Sequence, residues 1–156
     1  MKNSPVQQGL KKINKTKIVA VSGGFDPVHS GHINLLREAK SLGDRLVVIL
    51  NNDNWLRKKK GFAFMAETER KIVLGAIRFV DEVILTEHPD NPDDMSVCKT
   101  LEKLRPDMFA NGGDRKSDNI PEYQLCERLG IKMVFGVGGE KTQSSSELVQ
   151  RVKTGR

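Results

Sequence analysis

The chain has 156 residues, of which 37% are hydrophobic and 29% charged, a composition typical of one soluble globular domain with its own core. No apolar run approaches the roughly 20 residues of a membrane-spanning helix, and the first residues lack the apolar segment of a signal peptide. We therefore expect a cytoplasmic protein with no membrane partner. The two cysteines, Cys98 and Cys126, lie outside any CxxC pattern, which argues against a zinc site.

The net charge of +6 is concentrated at the N-terminus. Five of the 26 basic residues precede the first acidic residue, Asp26, which leaves 21 basic against 20 acidic residues in the remainder. We predict a flexible basic tail over residues 1–16 and one folded domain over residues 17–156. No nucleic-acid partner is expected. The alternative, nucleic-acid binding through the lysine-rich tail, predicts a salt-sensitive affinity that disappears when residues 1–16 are removed.

Strand and helix patterns alternate along the rest of the chain. Short apolar runs predict strands at residues 17–22, 45–50, 83–85, 107–110 and 131–135. Helical periodicity predicts helices at residues 33–42, 66–79, 95–104, 121–129 and 144–152, with a basic loop at 55–65. In the helix at 66–79, residues 72, 73, 76 and 77 are expected to share an apolar face. The alternation indicates an α/β fold: a single Rossmann-like domain with an open parallel five-stranded sheet and helices on both faces.

The first predicted strand is followed by the segment Gly-Gly-Phe-Asp-Pro-Val-His-Ser-Gly-His, residues 23–32. A helix that begins there offers unpaired backbone N–H groups, which bind phosphate well. The two imidazoles of His29 and His32 can donate hydrogen bonds to oxygens that gain charge in phosphoryl or nucleotidyl transfer. Polar or glycine-rich turns at 51–54, at 111–114 and before Ser144 also follow predicted strands. We expect all four turns to converge at one edge of the sheet.

The His-Ser-Gly-His segment resembles the HxGH motif that follows the first strand of cytidylyltransferase-like nucleotidyltransferases. The resemblance covers roughly residues 17–152 and is strongest to heptose 1-phosphate adenylyltransferase domains and glycerol-3-phosphate cytidylyltransferases. The other matching segments are Leu-Gly-Asp-Arg-Leu-Val-Val (42–48), Asn-Asn-Asp (51–53), Lys-Lys-Gly (59–61), Glu-Arg (69–70), Val-Asp-Glu-Val (80–83), Arg-Pro-Asp (105–107), Gly-Gly-Asp (112–114) and Ser-Ser-Ser (144–146).

This resemblance implies that a phosphate oxygen of an acceptor attacks the α-phosphorus of a nucleoside triphosphate and that pyrophosphate leaves. His29 and His32 are implied to stabilise charge on the phosphates, and Gly31 to let the backbone approach them. The nucleotide pocket is implied to be shaped by Gly23, Gly24 and Phe25. Mg²⁺ is the expected cofactor, held mainly by triphosphate oxygens and water, with no protein residue assigned as a metal ligand. Asp26 either touches the hydration shell of that ion or forms the turn before Pro27.

Several matched residues keep two interpretations each. The run Lys58–Lys60 is a solvated charge run or a mobile loop in which Lys60 contacts phosphate. Arg70 contacts phosphate or lies on an exposed helix face and pairs with Glu67 or Glu69. Asp114 accepts a hydrogen bond from the exocyclic amino group of adenine or cytosine, or serves as a turn residue. This carboxylate does not distinguish ATP from CTP.

The serines Ser144, Ser145 and Ser146 are implied to hold the β- and γ-phosphates, and they also suit a helix N-cap. Lys141 stands before them where cytidylyltransferases usually carry arginine, which cannot be replaced by lysine in a bidentate phosphate contact. That departure weakens the cytidylyltransferase subclass.

We therefore predict an enzyme, a nucleotidyltransferase that transfers a nucleoside monophosphate from ATP or CTP to a small phosphorylated acceptor. A sugar phosphate such as heptose 1-phosphate is favoured. The alternatives are a cytidylyltransferase acting on glycerol 3-phosphate or another alcohol phosphate, or a different acceptor such as a flavin nucleotide. An alternative from another functional class is a catalytically silent nucleotide-binding regulatory domain, although the intact HxGH motif argues against it. Homodimerisation is a further expectation that the resemblance implies.

Overall fold

A computed structural model describes residues 15–113, 115–116, 120–141 and 143–155. The predicted tail therefore lies outside the described residues, except for its last two. The strands are β1 (Ile18–Gly23), β2 (Arg45–Leu50), β3 (Glu82–Leu85), β4 (Met108–Gly112) and β5 (Lys132–Val137). The helices are α1 (Ser30–Ser41), α2 (Asp53–Lys60), α3 (Glu67–Gly75), α4 (Cys98–Leu104), α5 (Tyr123–Leu129) and α6 (Ser145–Thr154). In the described ranges, no helix has the length and apolar character needed to cross a membrane.

The five strands form one parallel sheet in the order β3-β2-β1-β4-β5. Successive residues of a strand face opposite sides, so the sheet has two apolar faces. Val21 and Val48 pack with α1 and α3 on one face, whereas Ala20, Ile49 and Phe109 pack with α4 and α5 on the other. The predicted Rossmann-like α/β domain is confirmed. The strand order reverses between β1 and β4, where open parallel sheets bind their ligands.

The segment predicted as a basic loop at 55–65 is a helix over most of its length, so that prediction was wrong. The side chain of Asn52 accepts a hydrogen bond from the backbone N–H of Trp55 at 3.0 Å and caps the start of α2. Gly61 adopts φ 86° and ends the helix, a conformation that glycine adopts without strain. Leu56 is fully buried and anchors α2 to the domain. Since lysine and arginine are good helix formers, the basic run extends the helix up to this glycine.

Helix α3 ends at Gly75, four residues before the predicted end, and its buried residues are Arg70 and Leu74. The expected apolar face is therefore only partly correct, because Ile72 is 67% exposed and Val73 is 38% exposed. Ile77, beyond the helix, packs against the core. A buried arginine four residues before a buried leucine sets the orientation of this helix, and apolar periodicity does not reveal it. Elsewhere the helix and strand ends differ from prediction by at most three residues, and β2 has the predicted bounds.

Candidate functional site

A cavity of about 380 Å³ opens at the carboxyl ends of the strands, and we call it the nucleotide cavity. Most of the predicted site residues line it, namely Gly23, Gly24, Phe25, His29, Gly31, His32, Lys60, Lys141, Ser144, Ser145 and Ser146. The structure thus brings together residues from β1, α1, α2 and the start of α6. Asp26 and Arg70 do not line it, and Asp114 lies outside the described residues.

The two histidines of the HxGH motif cap the start of α1 with their own side chains. Nδ1 of His29 accepts a hydrogen bond from the backbone N–H of Gly31 at 3.1 Å. The backbone N–H of His29 in turn donates to Nδ1 of His32 at 3.2 Å. Since both Nδ1 atoms act as acceptors, the proton of each neutral ring is on Nε2. The helix start therefore fixes two Nε2–H donors at the nucleotide cavity.

Burial keeps both imidazoles neutral. It lowers the pKa of His32 to about 3, with further contributions from neighbouring His29 and from the Lys60 ammonium. Burial and then the charge of Lys141 lower the pKa of His29. The two rings lie 3.9 Å apart between centroids, and the ring of Phe25 lies 4.8 Å from that of His32. Near pH 7 the imidazoles of the site are therefore neutral hydrogen-bond donors, and its positive charge comes from the lysines and from Arg115.

Glycines in the cavity wall give the space for this arrangement. A Cβ atom on Gly31 would lie 2.9 Å from the imidazole carbon Cε1 of His29 and would displace the ring. Gly138, in the loop after β5, has φ 88°, and a Cβ there would lie 2.9 Å from the backbone of Leu35. Gly31 therefore leaves room for the His29 ring at the start of α1, and Gly138 allows the loop after β5 to pack closely against α1.

The lysine run of α2 is divided between the cavity and the outside. Lys59 and Lys60 line the nucleotide cavity. Lys58 instead donates to the side-chain oxygen of Asn91 at 2.8 Å. Burial lowers the pKa of Lys60, and the charges of Lys59 and Arg70 add to this effect, while Asp26 opposes it. Of the three lysines, Lys60 is the one that is partly buried, and it lines the nucleotide cavity, which suits it to bind an anion.

The carboxylate of Asp26 anchors the segment between α2 and α3. Its two oxygens accept hydrogen bonds from the backbone N–H groups of Phe64 and Met65 at 2.6 and 2.7 Å, and the residue is 3% exposed. This arrangement favours the structural interpretation of Asp26 over contact with a metal hydration shell. The residue holds the segment that follows Lys60 against the start of the HxGH loop.

Arg70 is fully buried, so the interpretation as an exposed residue that pairs with Glu67 or Glu69 was wrong. Its guanidinium donates to the carbonyl oxygens of Met65, Gly24 and Asn51, and it forms a 2.7 Å ion pair with Asp53. These bonds join the ends of β1 and β2 to α2 and α3. Because its N–H groups donate to protein oxygens, Arg70 holds in place segments that border the cavity. The same occupied N–H groups do not favour the predicted phosphate contact.

The start of α6 combines capping with cavity lining. The hydroxyl oxygen of Ser144 accepts from the backbone N–H of Glu147 at 3.1 Å, which makes Ser144 the N-cap. The hydroxyl of Ser145 donates to the carbonyl oxygen of Pro27 at 2.8 Å and so links α6 to the HxGH loop. The capping role is therefore present together with the cavity position. The positive end of the helix dipole adds to the attraction for phosphate.

Several cavity residues lie outside the set of site residues predicted from the sequence. Trp55 lines the cavity, with its indole N–H donating to the carbonyl oxygen of Met95 at 2.8 Å. Arg115, Gly138 and Gly139 also contribute to the wall. The glycines after β5 were a usable signal, since strand-end glycines often mark a close backbone approach to a ligand. No local pattern identifies Trp55, whose position depends on the loop that follows β3.

Two neutral imidazole donors, the ammonium groups of Lys59 and Lys60 and a helix N-terminus surround one cavity, an arrangement suited to a ligand that carries phosphate groups. The profile of the cytidylyltransferase-like family matches residues 20–149. The chain belongs to this family of nucleotidyltransferases, as its sequence resemblance predicted.

Three similar proteins illustrate the relationship. The bifunctional protein HldE of Desulfatibacillum aliphaticivorans is 33% identical over 151 residues, which cover 96% of this chain and 29% of that protein. The FAD synthase of Pyrococcus abyssi is 38% identical over 121 residues, 77% of this chain and 78% of that one. The lipopolysaccharide core biosynthesis protein of Thermoplasma volcanium has a similar crystal structure, with TM-score 0.63 and 27% identity over 83% of this chain and 98% of that one. The chain spans about 30% of the length of the HldE proteins that it matches.

Proposed function

We propose that this protein transfers a nucleoside monophosphate from ATP or CTP to a small phosphorylated acceptor and releases pyrophosphate. The observation that carries the proposal is the pair of Nε2–H donors that the α1 cap fixes at the nucleotide cavity. A bare phosphate-binding loop needs only backbone N–H groups. Two oriented imidazoles in addition are suited to oxygens whose charge grows as the α-phosphorus is attacked. The alternative of a catalytically silent domain does not explain this pre-arranged pair.

The side chains divide the reaction between them. His29 and His32 donate to oxygens of the α-phosphate and stabilise the charge that develops there. Lys60, a partly buried cation in the cavity wall, neutralises charge on the departing β- and γ-phosphates. Ser144–Ser146 hold the same phosphates at the start of α6. Transfer of this kind depends on positioning and on charge stabilisation, so no protein nucleophile is required.

Mg²⁺ is proposed to enter together with the triphosphate, held mainly by its oxygens and by water. In the part of the chain that the structure describes, no group of three or more His, Cys, Asp or Glu side chains is placed to hold a metal ion. Both oxygens of Asp26 already accept backbone hydrogen bonds, which disfavours direct coordination of a metal ion by this carboxylate. An ion held by the nucleotide needs no such ligand. When bound, the ion would neutralise charge on the triphosphate.

For the nucleotide, Lys141 in place of the arginine usual in cytidylyltransferases supports ATP over CTP. For the acceptor, we favour a sugar phosphate, with heptose 1-phosphate first, on the resemblance to HldE proteins. Glycerol 3-phosphate is the second candidate. A flavin nucleotide is the third, since the FAD synthase of Pyrococcus abyssi matches along most of its length.

Two partner proposals accompany this function. A homodimer is expected from the resemblance, and the exposed side chains of Ile72 and Val73 on α3 offer apolar surface for a second copy. Sedimentation velocity of the full chain measures this directly, and a monomer at micromolar concentration would contradict it. No nucleic-acid partner is proposed, and salt-sensitive binding of DNA or RNA that is lost on removal of residues 1–16 would contradict that.

The function is tested by measuring pyrophosphate release while ATP, CTP, GTP and UTP are crossed with heptose 1-phosphate, glycerol 3-phosphate and flavin mononucleotide. We expect turnover with ATP and a sugar phosphate. The Lys60→Met variant should lose roughly tenfold or more in kcat/KM, corresponding to one charge-assisted phosphate contact. The matched control Lys58→Met should stay within about twofold, because Lys58 bonds Asn91 outside the cavity. If no pair of nucleotide and acceptor releases pyrophosphate, the proposed function is overturned.

A further inference from the structure

A second cavity, of about 320 Å³, lies between α6 and the segment that joins α2 to α3. We call it the side chamber; its principal lining residues are Lys59, Lys60, Phe62, Ser146, Gln150 and Lys153. It shares Lys59, Lys60 and Ser146 with the nucleotide cavity, so these three residues form the boundary between the two spaces. The side chamber therefore begins at the part of the nucleotide cavity wall that these three residues form.

One face of α6 forms a wall of the side chamber along the whole helix. Ser146, Val149, Gln150 and Lys153 all line it, and their spacing of three or four residues places them on the same face. Ser146 lies in the first turn, beside the nucleotide cavity, and Lys153 in the last turn. Seven residues of helix correspond to about 10 Å, so Lys153 lies roughly 10 Å along α6 from Ser146 at the nucleotide cavity.

The charge of this lining suits a small anion with several negative charges. Three ammonium groups, those of Lys59, Lys60 and Lys153, border the chamber. Among the described residues, the only carboxylate in its lining is that of Asp26, whose two oxygens accept backbone hydrogen bonds. Nζ of Lys153 lies 4.5 Å from the ring centroid of Phe62, and no described carboxylate forms a salt bridge with it. An aromatic face thus holds a cation at the outer end without neutralising it.

We propose that the side chamber receives the pyrophosphate released by nucleotidyl transfer and that Lys153 is its outer ligand. The inference rests on the proposed function, since that transfer is the source of pyrophosphate. After transfer, the nucleotide product still occupies the nucleotide cavity, and the side chamber offers pyrophosphate a second way out past Lys59, Lys60 and Ser146. Lys59 and Lys60 contact it on both sides of the boundary, and Lys153 attracts it outward.

The test measures binding of pyrophosphate itself to the full chain by titration calorimetry, with Lys153→Met and Lys153→Glu variants. We expect Kd to rise roughly fivefold to tenfold in Lys153→Met and further in Lys153→Glu, with the wild-type affinity falling as salt is added. The matched control is Lys132→Met, which removes an exposed lysine at the start of β5, outside both cavities. Its Kd should equal that of the wild type. Thermal unfolding of each variant establishes that it is folded.

Enzyme kinetics give a second readout. The ratio of the product-inhibition constant for pyrophosphate to the KM for the nucleotide should rise in Lys153→Met, because the chamber lies beyond the bound nucleotide. Equal pyrophosphate affinities for folded wild type, Lys153→Met and Lys153→Glu would overturn the inference, as would equal losses in KM and in the inhibition constant. Failure of the proposed function gives a different result: the wild type then releases no pyrophosphate with any nucleotide. The calorimetric result stands in either case.

Discussion

The backbone N–H of His29 donates to Nδ1 of His32 at 3.2 Å, so the first residue of the HxGH motif orients the ring of the last. The reciprocal bond, from the N–H of Gly31 to Nδ1 of His29, closes the cap. A helix cap normally satisfies backbone groups and stabilises the helix by about 1 kcal/mol. Here the same two bonds also determine which nitrogen of each imidazole carries the proton. Capping and the chemistry of the site are therefore performed by the same atoms.

The paired substitutions His32→Asn and His32→Gln separate these two roles. The amide oxygen of asparagine can replace Nδ1 as acceptor, but it supplies no donor at the position of Nε2. We expect His32→Asn to fold and to lose roughly a hundredfold or more in kcat, the usual effect of removing one transition-state donor. His32→Gln, whose amide reaches further, should keep more of the activity than His32→Asn. Pyrophosphate release and thermal unfolding measure both effects, and wild-type kcat in His32→Asn would refute the donor role.

The substitution Gly31→Ala tests the space that the His29 ring needs. A Cβ at this position would lie 2.9 Å from Cε1 of the ring, so the ring must move and the cap bond weakens. We expect kcat to fall tenfold or more, because small displacements of a catalytic group have large effects on rate.

Gly75→Ala is the control for this substitution, since a Cβ at this residue, at the end of α3, would have nothing within 4 Å. Alanine there should stabilise the fold by about 0.4–1 kcal/mol through the unfolded state and leave kcat unchanged. Urea unfolding and steady-state kinetics of the two variants provide the comparison. A Gly31→Ala variant as active as Gly75→Ala would show that the ring tolerates the crowding.

The substitution Arg70→Met should be strongly destabilising. It removes a fully buried guanidinium and leaves the Asp53 carboxylate and three carbonyl oxygens without their donor. Breaking a buried ion pair from one side typically costs about 3–5 kcal/mol. Urea unfolding at pH 7 measures the loss. The double variant Arg70→Met with Asp53→Asn should recover part of it, because the unpaired charge is gone. An Arg70→Met protein of wild-type stability would refute the supporting role.

Acidification should destabilise the protein partly through His32. Its pKa is near 6.5 in the unfolded chain and about 3 in the folded protein, so between these values the unfolded state binds the extra proton. The free energy of unfolding therefore falls as pH decreases below about 6.5, by at most ~1.4 kcal/mol per pH unit from this group. His32→Asn lacks the group, and its stability should decrease less between pH 7 and pH 5. Parallel curves for the two proteins would contradict the shift.

Much of the fold follows from local patterns. The five apolar runs are strands because each is short and is bounded by glycine or polar residues, and most are rich in Val, Ile and Leu, although β4 uses Met and Phe instead. The start of α6 was predictable from Ser144, which is the N-cap. The loop predicted at 55–65 was wrong because the helix there depends on the Asn52 cap and the Gly61 stop, whereas a run of charged residues alone also suits a solvated loop. Arg70 was misread because a buried arginine leaves no mark in a helical pattern; only the carbonyl oxygens around it explain its position.

By itself, the sequence determined the order of strands and helices, the parallel sheet that follows from their alternation, and the HxGH segment at a strand end. These features depend on residues that are near one another in the chain. Only the tertiary structure decided that Lys60 lines the same cavity as His32 while Lys58 bonds Asn91, and that the pKa of His32 falls to about 3. The bonds that orient the two imidazoles lie within residues 29–32 and are local. Burial and charge, by contrast, act through space between segments that the sheet brings together, so no local pattern encodes the lowered pKa values that keep the imidazoles neutral.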